Sequence, residues 1–362
     1  MSLFLITGVA GFIGSRVAGL LLHEGHTVHG IDNLNDYYDT RLKTWRLSEL
    51  AAYPAFSFDR CDIEQSADLT RSARRFGQID AIFHLAARAG VRPSVIDPRA
   101  YLETNLLGTL NVLDMCRAFS IPKLVIASSS SVYGASREMP YQEDRDNCRP
   151  LSPYAASKRA AEDLCFTYHY LHKLDISALR FFTVYGPGGR PDMAVFRFVR
   201  GVVEGEPLTL FGDGNQSRDF SFVDDIARGA IQALKPTGFR VFNLGANHPV
   251  TVNAAISIIE RLSGKTAIIH HHPLDPSDVS DTWADVSRAK AELGWSPLVS
   301  LEAGLGHAIR WYVDNRAWAS RLSVMGSSPS SAAPLEPLMT SSQLLKLAEA
   351  TTATTWAGAI RA

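Results

Sequence analysis

The stretch from Leu3 to Asp32 constrains the fold more than any other part of this sequence. An apolar run leads into Gly8, Gly11 and Gly14, spaced G-x-x-G-x-x-G, and an amphipathic segment and a second apolar run follow. This order predicts a strand, a tight turn, a helix and a second strand, a unit from which parallel sheets are built. The glycines let the backbone approach a diphosphate, which would lie at the helix N-terminus, where free N–H groups favour anions.

Asp32 closes the second apolar run and completes a dinucleotide-binding pattern. Its carboxylate is expected to accept hydrogen bonds from the adenosine ribose, and its charge repels a 2′-phosphate, so NAD is favoured over NADP. We also expect Phe12 and Ile13 of the glycine turn, and Asn33 after Asp32, to line the cofactor site. An ordinary strand-to-helix turn is the alternative for the glycines alone, and the acid at the end of the next strand argues against it.

Further apolar runs extend this pattern along the chain. Strands are predicted at 27–31, 56–58, 81–85, 124–127, 176–181 and 241–244, and helices at 13–23, 98–119, 152–172, 251–262 and 287–293. Because the strands are apolar throughout and alternate with helices, we predict an α/β fold with a doubly wound, Rossmann-like parallel sheet. Ligands are then expected at the carboxyl ends of the strands.

A chain of 362 residues is expected to form a large domain and a smaller one. The pattern changes at Thr183, where a loop rich in proline and glycine begins. Residues 1–182 are therefore assigned to an NAD-binding domain, to which residues 219–246 return. Residues 183–218 and 247–322 are assigned to a smaller α/β substrate-binding domain.

Composition narrows the class of protein further. The net charge is −1, so no global field draws the chain to nucleic acid or to an anionic membrane. We recognise no secretory leader and no apolar run of membrane-spanning length, and the four cysteines have neither metal-type nor disulfide-type spacing. A cytoplasmic protein is expected. Residues 323–362, rich in Ser, Ala and Thr, are expected to be disordered, with one short helix at 342–350.

Residues near the ends of the predicted strands are further candidates for the cofactor site. They are Asp62, Ile63, Leu85, Ala86, Ala87, Asn105 and Ser128. Asp62 and Ile63 could contact the edge and face of adenine, and a helix-starting aspartate is the alternative. Small residues at Ala86 and Ala87 leave room for the diphosphate and the nicotinamide ribose. Asn105 lies within an apolar helical pattern and needs partners, so it is expected to tie two strand ends together.

Tyr154 and Lys158 carry the catalytic signal. They lie four residues apart on a predicted helix and therefore share a face, so the ammonium is expected to lower the phenol's pKa towards that of a general base. A surface pair is the alternative for two such residues alone. The preceding strand delivers Ser128 to Ser131 to the same sheet edge, which favours catalysis.

Together these segments resemble the extended short-chain dehydrogenase/reductase family of NAD-dependent nucleotide-sugar epimerases and dehydratases. The resemblance runs from about Leu3 to Trp311. The motifs that carry it are the glycine turn, Asp32-Asn33, His84-Leu85-Ala86-Ala87, Ser128 to Gly134, Tyr154-x-x-x-Lys158 and Arg180-Phe181-Phe182-Thr183-Val184-Tyr185-Gly186-Pro187. Within the family the chain is most similar to 4-epimerases of UDP-glucuronate, through segments 32–39, 89–92 and 182–194.

The resemblance implies a mechanism and a set of roles. Tyr154 would be the base, Lys158 its activator and a nicotinamide-ribose ligand, and Ser129 would polarise the C4 oxygen of the sugar. Hydride would pass from C4 to NAD and return to the other face of a 4-keto sugar, so that C4 is inverted. A homodimer is expected, with a UDP-sugar as its substrate.

The resemblance also implies how a uronate is bound without losing carbon dioxide. The substrate-binding candidates are Arg92, Ser129, Ser130, Ser131, Tyr154, Thr183, Arg190 and Arg218. The serines and Thr183 would hold the carboxylate away from alignment with the C4 carbonyl, and Arg218 would bind the diphosphate. Related decarboxylases are expected to carry Glu at position 131, and 4,6-dehydratases an Asp-Glu pair at 130 and 131. This chain has serines there.

Three segments of the chain depart from the pattern of the family. Gly188-Gly189 stands where a bulkier residue is expected, Arg88 where Gln is expected, and Ser277-Asp278-Val279 where Gly-Asp-Val is usual. These positions bear on the sugar more than on the reaction. The alternatives are therefore a 4-epimerase of a neutral UDP-hexose, another nucleotide-sugar epimerase or decarboxylase and, in a different class, an NAD-sensing regulator. No metal is expected, because His270-His271-His272 lacks a convergent acid or Cys pattern.

Overall fold

A seven-stranded parallel sheet lies at the centre of the computed structural model, which describes residues 1–323 except 137, 146–148 and 274–278. The expected disordered tail, apart from Ser323, lies outside the described residues, and so does its short helix at 342–350. The departure at Ser277-Asp278 lies outside them as well.

Strands and helices alternate through most of the described chain. The strands are β1 (Leu3–Thr7), β2 (Thr27–Asp32), β3 (Phe56–Arg60), β4 (Ala81–His84), β5 (Lys123–Ser129), β6 (Asp175–Phe181), β7 (Thr183–Tyr185), β8 (Leu208–Phe211), β9 (Ser217–Phe222), β10 (Phe239–Leu244), β11 (Pro249–Thr251) and β12 (Ile269–His272). The α-helices are α1 (Phe12–His23), α2 (Thr40–Ala51), α3 (Ser66–Ala73), α4 (Val91–Ile96), α5 (Pro98–Leu102), α6 (Gly108–Ala118), α7 (Pro153–His172), α8 (Ala194–Glu204), α9 (Val223–Gln232), α10 (Val252–Ser263), α11 (Leu301–Asp314) and α12 (Arg316–Ala319).

The central sheet has the order β3-β2-β1-β4-β5-β6-β10, and every neighbouring pair is parallel. Buried apolar residues cover both of its faces, with Ile6, Phe83 and Val125 in one core cluster and Leu5, Ile82 and Ile126 in another. The predicted fold class, a doubly wound parallel sheet, is confirmed. The predicted strand near 241–244 also joins this sheet, as β10 beside β6.

Local sequence signals explain where the two helices that matter most begin and end. The α1 helix follows Gly11 and stops before Gly25, which has φ +84°, a conformation that glycine adopts easily. The α7 helix has Ser152 as its N-cap, and the serine side chain accepts a hydrogen bond from the Ala155 N–H. Pro153 occupies the first turn, where its missing N–H costs nothing.

Some helices differ from the sequence-based expectation. The stretch predicted as one helix at 98–119 consists of α5, a π-helical segment at Glu103–Leu107 and α6. The helix predicted at 287–293 is largely a π-helical segment, Ala289–Leu293. The α2 helix was not predicted, because its buried face includes Lys43 and Arg46, which interrupt the apolar pattern.

Two smaller sheets lie outside the central one. The order β11-β9-β7 gives a three-stranded sheet, and β8 and β12 pair in parallel. Side chains from these strands, such as Phe220 and Leu210, pack with Val199 of α8, Ile256 of α10 and Leu305 of α11 in a second core. The α9 helix instead packs against α1, beside the central sheet. Within the described residues, no helix is long and apolar enough to cross a membrane.

Candidate active site

A pocket of about 240 Å³ opens at the carboxyl ends of the parallel strands. Its wall brings together most of the residues predicted for the site. Those for the cofactor are Gly8, Gly11, Phe12, Ile13, Gly14, Asp32, Asn33, Ile63, Leu85, Ala86, Ala87 and Ser128. Ser129, Tyr154, Lys158 and Arg190 share the same wall, whereas Asp62, Asn105, Ser130, Ser131, Thr183, Arg92 and Arg218 do not line it.

The glycine turn forms a close-packed rim of this pocket. Gly8 has φ +71°, and a Cβ atom there would lie 2.6 Å from the Ala86 backbone nitrogen. A Cβ atom at Gly14 would lie 2.2 Å from the carbonyl oxygen of Gly8, so only glycine fits both positions. Gly11 caps α1 with no side chain, which leaves the first N–H groups of the helix directed at the pocket. These residues fit the diphosphate of a dinucleotide.

Asp32 lies at the carboxyl end of β2, on the pocket wall, and is only 8% exposed. Its Oδ1 atom accepts a hydrogen bond from the Leu34 N–H at 2.8 Å and lies 3.6 Å from the Lys43 ammonium. Lys43 also donates to Asn35 Oδ1 at 3.1 Å. The acid predicted for ribose binding is therefore paired with a buried cation, and both line the pocket.

Asp62 supports the end of the pocket near Asn33 from behind its wall. Its Oδ2 atom accepts a hydrogen bond from Asn33 Nδ2 at 2.9 Å, and its Oδ1 atom accepts one from the Glu64 N–H at 3.0 Å. The side chain therefore fixes Asn33, which does line the pocket, and also closes a local turn. No helix begins at Asp62, because α3 starts at Ser66.

Asn105 connects the segment after β4 to α7, the helix that carries Tyr154 and Lys158. Its Oδ1 atom accepts a hydrogen bond from the Arg88 N–H at 2.9 Å, and its Nδ2 donates to the Arg88 carbonyl at 3.0 Å. The same nitrogen donates to Ser157 Oγ of α7 at 2.9 Å. The expectation that Asn105 ties two strand ends together is wrong in one respect, because its second partner is a helix. It acts through Arg88 and Ser157 rather than from the pocket wall.

Tyr154 and Lys158 lie in the first two turns of α7. Lys158 is 5% exposed, so the alternative of a surface pair is excluded. Burial lowers the pKa of Lys158 to about 8, and its Nζ atom donates to the Ala127 carbonyl oxygen of β5 at 2.9 Å. Burial likewise raises the pKa of the Tyr154 phenol, against a hydrogen bond from Ser129 and the charge of Arg190, which both lower it.

The expectation of a phenol pKa lowered by Lys158 is therefore wrong for this structure. Desolvation penalises the phenolate more than the neighbouring groups stabilise it, so the pKa of Tyr154 lies above its ordinary value. The cation that opposes this increase is Arg190.

The serine side chains at the end of β5 have different partners. Ser128 turns its hydroxyl away from the open part of the site and donates to Glu162, which forms a buried ion pair with Arg180 at 2.7 Å. Ser129 caps a short 3₁₀ turn, accepting from the Ser131 N–H at 3.1 Å and donating to the Ser131 hydroxyl at 3.1 Å. The hydroxyls of Ser129 and Ser131 therefore stay at the sheet edge as a linked pair.

The loop after β7 supplies the opposite side of the site. Arg190 forms an ion pair with Asp192 at 2.6 Å and donates to the Ala89 carbonyl oxygen at 3.2 Å. Its guanidinium lies 5.2 Å from the centre of the Tyr37 ring. Thr183 and Arg190 also line a smaller cavity that adjoins the pocket.

Arg92 and Arg218 lie away from the pocket wall. The Arg92 guanidinium stacks 3.7 Å from the centre of the Phe211 ring of β8. Arg218 lies on β9 and donates to the carbonyl oxygens of Ser217 at 2.8 Å and Ser280 at 2.9 Å. Both contacts place the guanidinium groups beside the smaller sheets.

Several residues on the pocket wall were not predicted for the site. Nothing in the sequence indicated that Lys43 lines the pocket, because a lysine in a weakly amphipathic helix is ordinarily exposed. Arg88 also lines the pocket, and its signal in the sequence was its departure from the pattern of the family. Tyr37 and Tyr38 line the pocket as well; they belong to the polar aromatic loop at 36–39, for which the sequence left open a solvated turn or a cover for the adenosine.

His270-His271-His272 forms an exposed strand, β12, away from this site. Within the described ranges, no group of three or more His, Cys, Asp or Glu side chains is arranged to hold a metal ion.

This combination of a glycine turn, an acid after the second strand and a buried Tyr–Lys helix defines a class of NAD-dependent enzymes. The chain belongs to the NAD-dependent epimerase/dehydratase family, whose model matches residues 4–245.

Individual relatives narrow the comparison. The UDP-glucuronate 4-epimerase of Thermodesulfobacterium geofontis is 49% identical over 316 residues, which cover 87% of this chain and 97% of the relative. A crystal structure of UDP-glucuronic acid 4-epimerase from Bacillus cereus, in complex with UDP-glucuronic acid and NAD, is 38% identical with a TM-score of 0.81, covering 86% of this chain and 99% of that one. UDP-glucose 4-epimerase from Thermotoga maritima, with UDP-glucose, is 29% identical with a TM-score of 0.80, covering 87% and 99%.

Proposed function

We propose that this protein is an NAD-dependent 4-epimerase that converts UDP-glucuronate to UDP-galacturonate. One observation carries the proposal: Tyr154, Lys158 and Ser129 lie on one pocket wall with the glycine turn, and the adjoining positions at the sheet edge are serines rather than acids. The similarity to UDP-glucuronate 4-epimerases over most of the chain supports the uronate as substrate.

Each catalytic group has one task. When bound, NAD supplies the reversible hydride acceptor that the C4 carbon requires. Tyr154 takes the proton of the C4 hydroxyl in the forward half-reaction and returns a proton to the C4 oxygen in the second half. Ser129 would hold that oxygen through its hydroxyl, and Lys158 would bind the nicotinamide ribose, while the Arg190 charge lowers the pKa of Tyr154 against its burial. Because the cofactor is restored within each cycle, no net oxidation is expected.

The hydroxyl groups at and near the end of β5 protect the oxidised substrate from decarboxylation. A 4-keto uronate is a β-keto acid, and it loses carbon dioxide when the carboxylate bond aligns with the carbonyl π system. Charge-assisted hydrogen bonds from Ser130, Ser131 and Thr183 would hold the carboxylate out of that alignment. A Glu at position 131 would instead repel the carboxylate.

The deciding experiment incubates the purified protein with UDP-glucuronate and follows inversion at C4 by NMR. UDP-galacturonate without added oxidant is the expected product. Decarboxylated UDP-pentose as the sole product would show a decarboxylase. Inversion of UDP-glucose but not of the uronate would show a neutral-hexose epimerase, a candidate that the similarity to the Thermotoga maritima enzyme keeps open.

A catalytically inactive NAD sensor is the alternative in another class. It would bind NAD and change its partners or conformation with the redox state, without turning over a sugar. The intact pair of Tyr154 and Lys158 on the pocket wall supports an enzyme instead.

We further propose a division of labour along the chain. Residues 1–182 and 219–246 would hold NAD, and residues 183–218 and 247–322 would bind the UDP-sugar. The position of β10 in the central sheet and the packing of α9 against α1 support the assignment of 219–246.

The exposed apolar surface supports a homodimer. Apolar side chains that are at least two-fifths exposed lie on the adjoining helical segments from α4 to α7, including Ile96, Leu102, Leu107, Phe166 and Tyr170. Pairing of this face with a second copy would bury them. Light scattering is expected to give the mass of a dimer, and Leu107→Glu is expected to shift it to that of a monomer.

We place the enzyme in the cytoplasm. Cys61, Cys116 and Cys165 are free thiols, which fits a reducing compartment. Fractionation of the native cells would test this assignment.

A further inference from the structure

Arg46 joins the glycine turn to the loop that carries Arg190. The Arg46 side chain is buried, 3% exposed, and donates from Nη1 to the Ala10 carbonyl oxygen at 2.9 Å. Its Nη2 donates to the Gly188 carbonyl oxygen at 2.7 Å. Ala10 lies within the glycine turn, and Gly188 lies two residues before Arg190. One guanidinium therefore fixes the distance between the cofactor side and the sugar side of the site.

Trp45, the preceding residue of α2, fills the space that Gly188 leaves. A Cβ atom at Gly188 would lie 2.8 Å from Trp45 Cζ3 and 3.7 Å from Trp311 Cε2. The Trp45 ring packs against those of Trp311 and Trp318, with centroids 5.3 and 5.9 Å apart. A bulkier side chain is expected at Gly188-Gly189 in this family, and here the Trp45 ring of α2 occupies that space.

Arg190 has little freedom to move independently of this loop. Its guanidinium is held by Asp192, two residues further along the same loop, and by the Ala89 carbonyl oxygen. A shift of the loop at Gly188 would therefore carry Arg190 with it. Because the Arg190 charge acts on Tyr154, such a shift reaches the catalytic base as well as the sugar.

We propose that Trp45 and Arg46 are positioning residues that hold the loop at 186–193 in register with the glycine turn and so keep Arg190 beside Tyr154 and the sugar. The proposal rests on the proposed epimerase function and adds the element that determines the geometry of its sugar side. A displacement near 1 Å is enough to cost roughly a hundredfold in rate. Loosening the loop is expected to raise KM and the fraction of decarboxylated pentose, while NAD stays bound.

A double-mutant cycle between positions 45 and 188 tests this contact. Gly188→Ala places a methyl group against the indole, Trp45→Ala removes the indole, and the double variant has neither the clash nor the original packing. Gly188 has φ +64°, and the strain of alanine there is present in both backgrounds, so it cancels in the cycle. Gly188→Ala is expected to lower kcat/KM roughly tenfold more when Trp45 is present than when the indole has been removed by Trp45→Ala. Additive effects would overturn the proposal.

Two further variants separate positioning from stability. Trp45→Phe keeps an apolar ring, and Arg46→Lys keeps the charge but cannot bridge two carbonyl oxygens as a planar fork does. We expect near-normal product ratios for Trp45→Phe, and a higher KM with more pentose for Arg46→Lys, with NAD retained in both. A lower Tm with unchanged KM and product ratio in Arg46→Lys would show a purely structural residue and contradict the proposal.

Trp318→Ala is the matched control for Trp45→Ala. It removes a ring of the same aromatic cluster that contacts Trp45 and Trp311, and its product ratio is expected to match that of the wild type. A product ratio shifted as far as that of Trp45→Ala would place the effect in the cluster as a whole and overturn the specific role of Trp45. Failure of the wild-type protein to invert C4 would instead contradict the proposed function.

Discussion

The ammonium group of Lys158 donates a hydrogen bond to the Ala127 carbonyl oxygen across 2.9 Å. This contact ties α7 to the end of β5, so the helix that carries Tyr154 and the strand that carries Ser129 keep a fixed separation. Burial at the same position lowers the pKa of Lys158 to about 8. Lys158, which the family resemblance assigns to the nicotinamide ribose and to the activation of Tyr154, is therefore close to losing its charge in mildly alkaline solution.

The turnover rate is expected to fall as the pH rises through about 8, because Lys158 is charged below this pH and neutral above it. The measurement is the pH dependence of kcat for UDP-glucuronate, with NAD content checked at each pH. Lys158→Met should lose most of the turnover and this alkaline limb. A wild-type rate that stays level up to about pH 10 would show that the charge of Lys158 is not required.

The lowered pKa of Lys158 also affects the stability of the fold. The pKa of Lys158 is lower in the folded chain than the ordinary value of 10.5, so the unfolded chain binds more protons between about 8 and 10.5. This group alone therefore destabilises the fold below about pH 8, and the penalty is relieved as the pH rises. Lys158→Met should accordingly raise the Tm at about pH 7 although it lowers activity.

Tyr154→Phe is expected to retain NAD and to lose turnover by roughly 10²- to 10⁴-fold, the usual contribution of a positioned acid–base group. The two measurements are the absorbance of released cofactor and the NMR rate of C4 inversion. Tyr168→Phe is the control on the same helix, since Tyr168 bonds Asp114 far from the pocket. A Tyr154→Phe rate within about threefold of the wild type would assign the base elsewhere.

Ser129→Ala is expected to lower kcat by roughly 10²- to 10³-fold, as when one preorganised donor is removed from a developing oxyanion. The hydrogen bond from Ser129 lowers the pKa of Tyr154, so its loss should raise that pKa further. Ser320→Ala, in an exposed turn, is the control. A reduced kcat with an unchanged pKa of Tyr154 would separate substrate binding by Ser129 from its effect on the base.

Arg180→Met is expected to destabilise the protein by about 3–5 kcal/mol, because it leaves the buried Glu162 carboxylate without its partner. Urea unfolding measures the change. The control is Arg261→Met at the pair with Glu302, whose side chains are 58% and 54% exposed, so that a much smaller change in the free energy of unfolding is expected. Equal losses in the free energy of unfolding for the two variants would show that burial of the ion pair does not determine its contribution to stability.

The parts of the fold and site that could be predicted share one property, which is that their signal is local in sequence. The glycine turn and Asp32 lie within one strand-turn-helix-strand unit, and Tyr154 and Lys158 lie four residues apart on one helix. The parallel sheet follows from the alternation of apolar strands and helices. Such patterns need no knowledge of distant contacts.

The remaining features depend on contacts between distant segments. Arg46 and Gly188 lie 142 positions apart, and nothing near either residue indicates the other. The direction of the Tyr154 pKa shift could not be predicted for a related reason, since burial of the phenol depends on the whole fold. The roles assigned to individual site residues, and the domain boundaries, stay predictions.

Because of the π-helical segment at Glu103–Leu107, an insertion or deletion in this part of the chain would change the contacts of Asn105. Such a segment behaves as an α-helix with one residue inserted, and each residue added or removed turns the following side chains by about 100°. Deleting a single residue there would restore a regular helix and rotate Asn105 out of reach of Arg88 and Ser157. Recombination or redesign of this enzyme should therefore treat the length of 98–118 as fixed, even where its side chains are free to vary.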